Sequence, residues 1–183
     1  DKYYYLVMEY IPGNINLKDF VYGAHKYMQK GKLRLKEYHK TIKYLMWQLA
    51  VTLRWLHDDI NCCHMDICME NVMLSNCEFY EQMDGYYTVN PNIQIKLGDF
   101  GVAEVFKTDP NRLEDDEYQP FACLKPNLSL DNEMSLSPEI NAGKEYDARC
   151  ADMWSLGILI YQCIFGQKLF NEDDDGLSED NFY

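Results

Sequence analysis

The chain has no pair of cysteines separated by two residues, and its seven cysteines are an odd number. That spacing fits neither a disulfide framework nor a zinc knuckle; reduced thiols in an intracellular, cytoplasmic protein are the simpler reading. Basic residues are scarce, with 17 Lys and Arg against 30 Asp and Glu and a formal charge of -13. Non-specific nucleic-acid binding needs cations on phosphates, so the balance argues against it and favours basic or metal-bearing partners. No apolar run is long enough to cross a bilayer. The longest, "MWSLGILIYQCIFG" from Met153 to Gly166, directly follows an Asp and reads as a buried helix. A charged-then-apolar leader is missing too: the chain opens at Asp1, without an initiator Met, in "KYYYLVMEYI", which reads as the start of a segment of something longer. There is no internal repeat and no low-complexity stretch.

What is present suits a folded domain. Apolar residues make up 47% and aromatics 14% of 183 residues, ample material for a core. Tyr3 to Tyr10 is apolar on both faces, short, and stopped by Pro12-Gly13, the pattern of a buried strand running into a turn. From Lys36 to Asp58, apolar residues recur at Tyr38, Ile42, Leu45, Met46, Leu49, Leu53 and Leu56, which places them on one face of a long helix. Val72 to Leu74 and Ile93 to Leu97 read as short strands. The polar, Tyr-rich insert between them, Ser75 to Asn92, carries Asp84-Gly85 and Asn90-Pro91 and is expected to prolong that hairpin outward. Ala151 to Phe165 is apolar nearly all round, as a central helix would be. Lys107 to Met134 reads as irregular. The acidic runs Glu114 to Glu117 and Glu172 to Asp175 read as solvated segments.

Chemistry concentrates in "CCHMDICMENVML", Cys62 to Leu74, and just after the second strand. Asp66, Asn71 and Asp99 each fall at a strand edge or in an adjoining loop, the usual position of a site. An Asp five residues before an Asn, followed by a hairpin ending in Asp-Phe-Gly, gathers a carboxylate and two oxygen ligands of the hard type that suits Mg²⁺.

These residues resemble the eukaryotic protein kinase family. "HMDICMEN", His64 to Asn71, follows its H-R-D-L-x-x-x-N catalytic loop; "DFG", Asp99 to Gly101, its metal-binding turn; "SPE", Ser137 to Glu139, its A-P-E. "DMWSLG", Asp152 to Gly157, is similar to the helix that anchors the large lobe on the serine/threonine branch, and "LVMEYIPG", Leu6 to Gly13, to the hinge beside the adenine pocket. Taken alone, each has a plainer reading: His64 a satisfied loop histidine, Asp-Phe-Gly an ordinary turn, Asp152 a helix cap. Together and in family order they are a strong signal, where one is weak.

The resemblance implies a mainly helical fold with short β hairpins: the kinase large lobe and hinge strand without the small lobe. Residues 1–183 would then be a partial domain, from the hinge to the central large-lobe helix. It further implies ATP and Mg²⁺ as cofactors and a protein as substrate. Asp66 would accept or orient the substrate hydroxyl proton, and Asn71 and Asp99 would hold Mg²⁺. The backbone of Glu9 and Ile11 would pair with adenine, Met8 would stand as gatekeeper, and Met73 would floor the pocket.

Two departures matter. Where the family has an Arg before the catalytic Asp this chain has Met65, and where it has a Lys two residues later this chain has Cys68. Asn132 also replaces a usual Thr, and Glu139 is expected to lack the Arg that pairs with it. Retained Asp66, Asn71 and Asp99 speak for a serine/threonine kinase; Met65 and Cys68 speak for a pseudokinase that binds or scaffolds without transferring phosphate.

Overall fold

The computed structural model describes residues 3, 5–105, 136–143, 146–167 and 169. The irregular stretch expected between Lys107 and Met134, both acidic runs and Asn132 lie outside these residues. Strand β1 (Ile15–Asn16) leads directly into helix α1 (Leu17–Gln29). Asn16 caps α1 by accepting a hydrogen bond from the Asp19 N–H at 2.9 Å, and Asp19 returns the bond to the Asn16 N–H at 3.4 Å. This reciprocal arrangement satisfies two amides that helix geometry leaves without partners.

Helix α2 (Leu35–Asp58) is the centre of the fold. All seven apolar positions of its expected stripe are buried, and they pack against α4 (Ala148–Phe165) and the three-stranded antiparallel sheet β1-β3-β6. In that sheet β3 (Val72–Ser75) pairs with β6 (Gln94–Leu97) in the register Val72↔Leu97 to Ser75↔Gln94. The polar side chain of Gln48 in α2 serves the sheet: its Nε2 donates to the Ile93 carbonyl and its Oε1 accepts from the Ile95 N–H, both at 3.1 Å. Backbone groups of the β6 region are thus satisfied by a helix.

The insert does not prolong the β3–β6 hairpin. Residues Phe79–Glu81 (β4) and Tyr87–Val89 (β5) form a separate antiparallel pair that folds back onto α1. Phe79 stacks on Phe20 at 5.7 Å between ring centroids, and Tyr27 lies 4.9 Å from Phe79 and 4.8 Å from Tyr87. Aromatic rings gain more by covering α1 than by pointing into solvent, and this sets the insert's direction.

Residues 3 and 5–10 are not a buried strand. They are exposed and unpaired, with Val7 at 92% and Tyr5 at 88% exposure. A strand needs a ladder partner for its backbone, and none of the described strands runs beside this segment. Nor is α4 buried all round, since Met153 and Phe165 are about half exposed while Leu156, Leu159 and Cys163 face the core. It ends at Gly166, whose φ of 64° is the left-handed conformation a glycine adopts without strain. No helix among the described residues is long and apolar enough to cross a membrane.

The start of α4 is set by Asp147, which accepts hydrogen bonds from the Arg149 N–H at 2.9 Å and its guanidinium at 2.8 and 3.1 Å. Burial works against the ionised carboxyl, but these bonds and the guanidinium charge outweigh it and hold Asp147 below the usual carboxylate range. A carboxyl depressed on folding contributes stability above its unfolded value, near pH 3.8, and that contribution is lost as pH falls through the lower folded value. Asp147→Ala is therefore expected to cost about 1 to 2 kcal/mol at neutral pH, and the difference from wild type should shrink in acid. Urea unfolding of both proteins at pH 7 and pH 3 measures this.

Candidate functional site

The loop joining α2 to β3 begins with strand β2 (Cys62–Cys63), which pairs with β7 (Glu104–Val105). The segment after β6 is therefore held beside the loop on two sides. At the hairpin end, the Gly98 N–H donates to the Asn71 carbonyl at 2.9 Å, which places Asp99 one residue from Asn71's partner. The His64 imidazole spans the same gap, its Nε2 donating to the Gly98 carbonyl at 2.8 Å. With Nε2 carrying the proton, Nδ1 is the acceptor, and it receives the Asp66 N–H at 3.3 Å. Both nitrogens of this fully buried ring are thus engaged, and Phe100 packs on it edge-on at 4.7 Å.

Asn71 fixes Asp66. Its Nδ2 donates to the Asp66 backbone carbonyl at 2.9 Å and to Oδ2 of the carboxylate at 2.7 Å. Orienting the amide this way leaves Asn71 Oδ1 without a hydrogen-bond partner among the described residues. Asp99 has a similar division of labour. One oxygen, Oδ1, accepts the Gly101 N–H at 3.2 Å, while the other has no partner among the described residues. The turn is tight: a Cβ at Gly101 would lie 3.1 Å from Asp99 Oδ1, and Asp99 itself has a φ of 56°. Asn71 Oδ1 and one Asp99 oxygen thus lack protein donors among the described residues, on two segments joined by the Gly98–Asn71 bond, and hard oxygens of this type are chemically suited to the Mg²⁺ implied by the sequence.

Glu70, between Asp66 and Asn71, pairs with Lys18 of α1 at 2.8 Å. Burial works against its ionisation, yet Lys18 outweighs it and the carboxyl sits below the ordinary range. Cys68 moves the other way. Burial, with Asp66 and Glu70 adding to it, pushes its thiol up to about 12, so at neutral pH it brings no charge of either sign. Met65, with a φ of 67°, is buried with Cys63, Tyr146, Ala148 and Ala151. An apolar side chain suits that surrounding.

Asp152 does more than the helix cap suggested by its sequence alone. It lies inside α4, 1% exposed, with Asp147 as the actual cap. Its Oδ2 accepts from His57 Nε2 and the His64 N–H, and its Oδ1 from the Met65 N–H, each at 2.8 Å. His57, Cys63 and Asp152 are close enough together to suggest a metal cluster. With both its carboxylate oxygens committed to N–H donors, Asp152 instead forms a hydrogen-bonded latch with His57, His64 and Met65. Neither His57 nor the reach of Asp152 was legible from spacing; only the resemblance of "DMWSLG" to an anchoring helix pointed here.

The hinge residues are placed unevenly. Glu9 reaches Lys96 Nζ at 3.1 Å, and Lys96 is the cross-strand partner of Met73, so Lys96 links the Glu9 segment to the strand pair that carries Met73. Ile11 closes a turn through its carbonyl to the Asn14 N–H at 3.3 Å. Met8 is 76% exposed. Glu139, on the short helix α3 (Pro138–Asn141), is exposed and makes no ion pair among the described residues.

Comparison with known proteins gives a consistent answer. The protein kinase domain family profile matches residues 1–182. The serine/threonine-protein kinase ppk16 of Schizosaccharomyces pombe is 34% identical over 175 residues, covering 96% of this chain and 20% of that protein. Human serine/threonine-protein kinase ULK1 is 29% identical over 167 residues, covering 91% of this chain and 13% of ULK1. The chain thus spans a fifth or less of the length of these curated relatives. Among solved structures, the crystal structure of Rad53 kinase domain and SCD2 superposes with a TM-score of 0.55 at 19% identity, over 96% of this chain and 46% of that one, and shares its fold.

Proposed function

From a chain that belongs to the eukaryotic protein kinase family, on its serine/threonine side, we propose a site that transfers the terminal phosphoryl group of ATP to a serine or threonine hydroxyl of a protein. Residues 1–183 would form the hinge and large-lobe part of the domain. The observation that carries the reading is the pair of hydrogen bonds that Asn71 Nδ2 donates to Asp66, which pins a carboxylate while leaving Asn71 Oδ1 without a partner among the described residues. Magnesium-bound ATP would supply the transferable group with its charge partly neutralised. This chain's part is positioning, which such chemistry needs more than covalent help.

Asp66 orients the substrate hydroxyl and takes its proton on the carboxylate. His64 and Glu70 are poor alternatives as bases, because both ring nitrogens of His64 are engaged and Glu70 is paired with Lys18. Asn71 and Asp99 would hold the ion. The Glu9 carbonyl and Ile11 N–H would meet the adenine, with Met73 beneath it and Met8 at its edge. In a full kinase domain containing this chain, ATP affinity is expected to require Mg²⁺ and to fall at least about tenfold, or ~1.4 kcal/mol, in Asp99→Ala. Equal calorimetric affinities with Mg²⁺, with EDTA and in the variant would refute the assignment.

A second reading, a pseudokinase, is favoured by one specific observation. The loop position that carries a Lys in the family is here a neutral, half-buried thiol.

A further inference from the structure

We propose that the groove between α2 and the β4–β5 hairpin is a docking site for a carboxylate-rich peptide segment of a partner protein, anchored by an apolar side chain. The groove shares no residue with the Asp66 site, and the proposal does not rest on phosphoryl transfer. It encloses about 630 Å³, a volume that accepts side-chain-sized groups. Thr41, Val89 and Ile93 are its buried lining residues, while Tyr44 and Trp47 stand exposed at 39% and 60%. Their rings stack 6.0 Å apart at 15°, a flat aromatic wall beside an apolar cavity. Val51 and Trp55, both about half exposed, continue the same helical face. Exposed aromatic surface of this kind, contiguous with a cavity, is what binding anchors use.

Charge selects the occupant. Between Phe20 and His57 stand eight of the chain's 17 Lys and Arg and only one of its 30 acids, Glu37. Lys40 and Lys43 line the groove itself. Glu37 also lines it, but its carboxylate is already engaged by the Thr88 hydroxyl at 3.0 Å and lies 3.9 Å from Lys40 Nζ. Lys43 has no ion-pair partner among the described residues. Arg34 and Arg54 are already paired with Asp84 and Asp58, so on a chain of formal charge -13 it is the α2 wall, with Lys40 and Lys43, that attracts an acidic segment, and the apolar lining gives such a segment something to bury. Nucleic acid fits less well, because only two cations and a carboxylate share the groove.

The test uses the whole chain and two fluorescein-labelled peptides, each with a central Phe and Leu, one flanked by Glu and the other by Lys, read by anisotropy at low and moderate salt. The Glu-flanked peptide should bind the chain at least about tenfold tighter than the Lys-flanked one and weaken as salt rises. Trp47→Ala should lose about tenfold or more in that affinity. The double charge swap Lys40→Glu with Lys43→Glu should invert the preference, so that gained binding of the Lys-flanked peptide shows a folded groove. Equal binding of both peptides, a preference unmoved by the swap, or displacement by single-stranded poly(U) RNA but not by unlabelled Glu-flanked peptide would overturn the proposal. So would sedimentation showing that the groove is closed by a second copy of the chain and opened by Trp47→Ala.

Discussion

Asp152→Ala is expected to lower the unfolding free energy by about 3 to 5 kcal/mol. Truncation strands three donors that are buried together: the His57 ring N–H and the backbone N–H groups of His64 and Met65. Each orphaned group forfeits roughly 1 to 3 kcal/mol, and all of them are buried. The neighbouring Met153→Ala, at a half-exposed position of the same helix, should change stability by no more than about 0.5 kcal/mol. Urea midpoints for the two variants give the comparison, and a loss below about 1 kcal/mol in Asp152→Ala would show that the latch is not what holds the loop. Asp152→Asn should recover only part of the loss, because an amide presents one acceptor oxygen and a donor where two acceptors are required.

In a full kinase domain containing this chain, Cys68→Lys is expected to raise phosphoryl transfer by roughly 10 to 100 fold. One preorganised cation beside a transferring phosphoryl group contributes on the order of 3 kcal/mol, and the half-buried, neutral Cys68 thiol contributes none. Asp66 and Glu70, which help push that thiol up, would instead favour a charged Lys at the same place. Cys68→Ser should give no gain, because it is neutral, and Asp66→Asn should abolish transfer with either residue at 68. Single-turnover transfer from labelled ATP separates these cases. Tight nucleotide binding in all proteins without a gain in Cys68→Lys would mean that the loop binds and does not transfer, and the pseudokinase reading would stand.

Much of the scaffold could be read from local pattern because local physics decides it. The stripe from Tyr38 to Leu56 is a periodic signal along most of the 24-residue α2, and its burial follows directly. The β3–β6 pair followed from alternation in Ile93, Ile95 and Leu97. Tyr3 to Tyr10 misled for an instructive reason: composition reports what a strand would gain, but not whether a neighbouring strand is there to pair with it. The insert failed likewise, since only Phe20 and Tyr27 of α1 explain why Phe79 and Tyr87 turn inward. At the site, the spacing of Asp66 and Asn71 was informative because five residues suffice to close the amide back on the carboxylate. The commitments of Asp152 and the neutrality of Cys68 depend on partners or burial created by the tertiary fold. No window of sequence contains them.

The latch also orders events in time. Asp152 joins His57, His64 and Met65 across 95, 88 and 87 residues of chain, among the longest loops this structure closes. Such closures forfeit chain entropy before any contact offsets it, so they form late, whereas helices and adjacent hairpins form from near neighbours. During synthesis, α2 and the β3–β6 hairpin leave the ribosome well before α4. Until α4 docks, Asp66 and its neighbours lie on a loop with nothing behind it. The fold therefore assembles its chemistry last, and a partly made chain holds the parts of the site without its geometry.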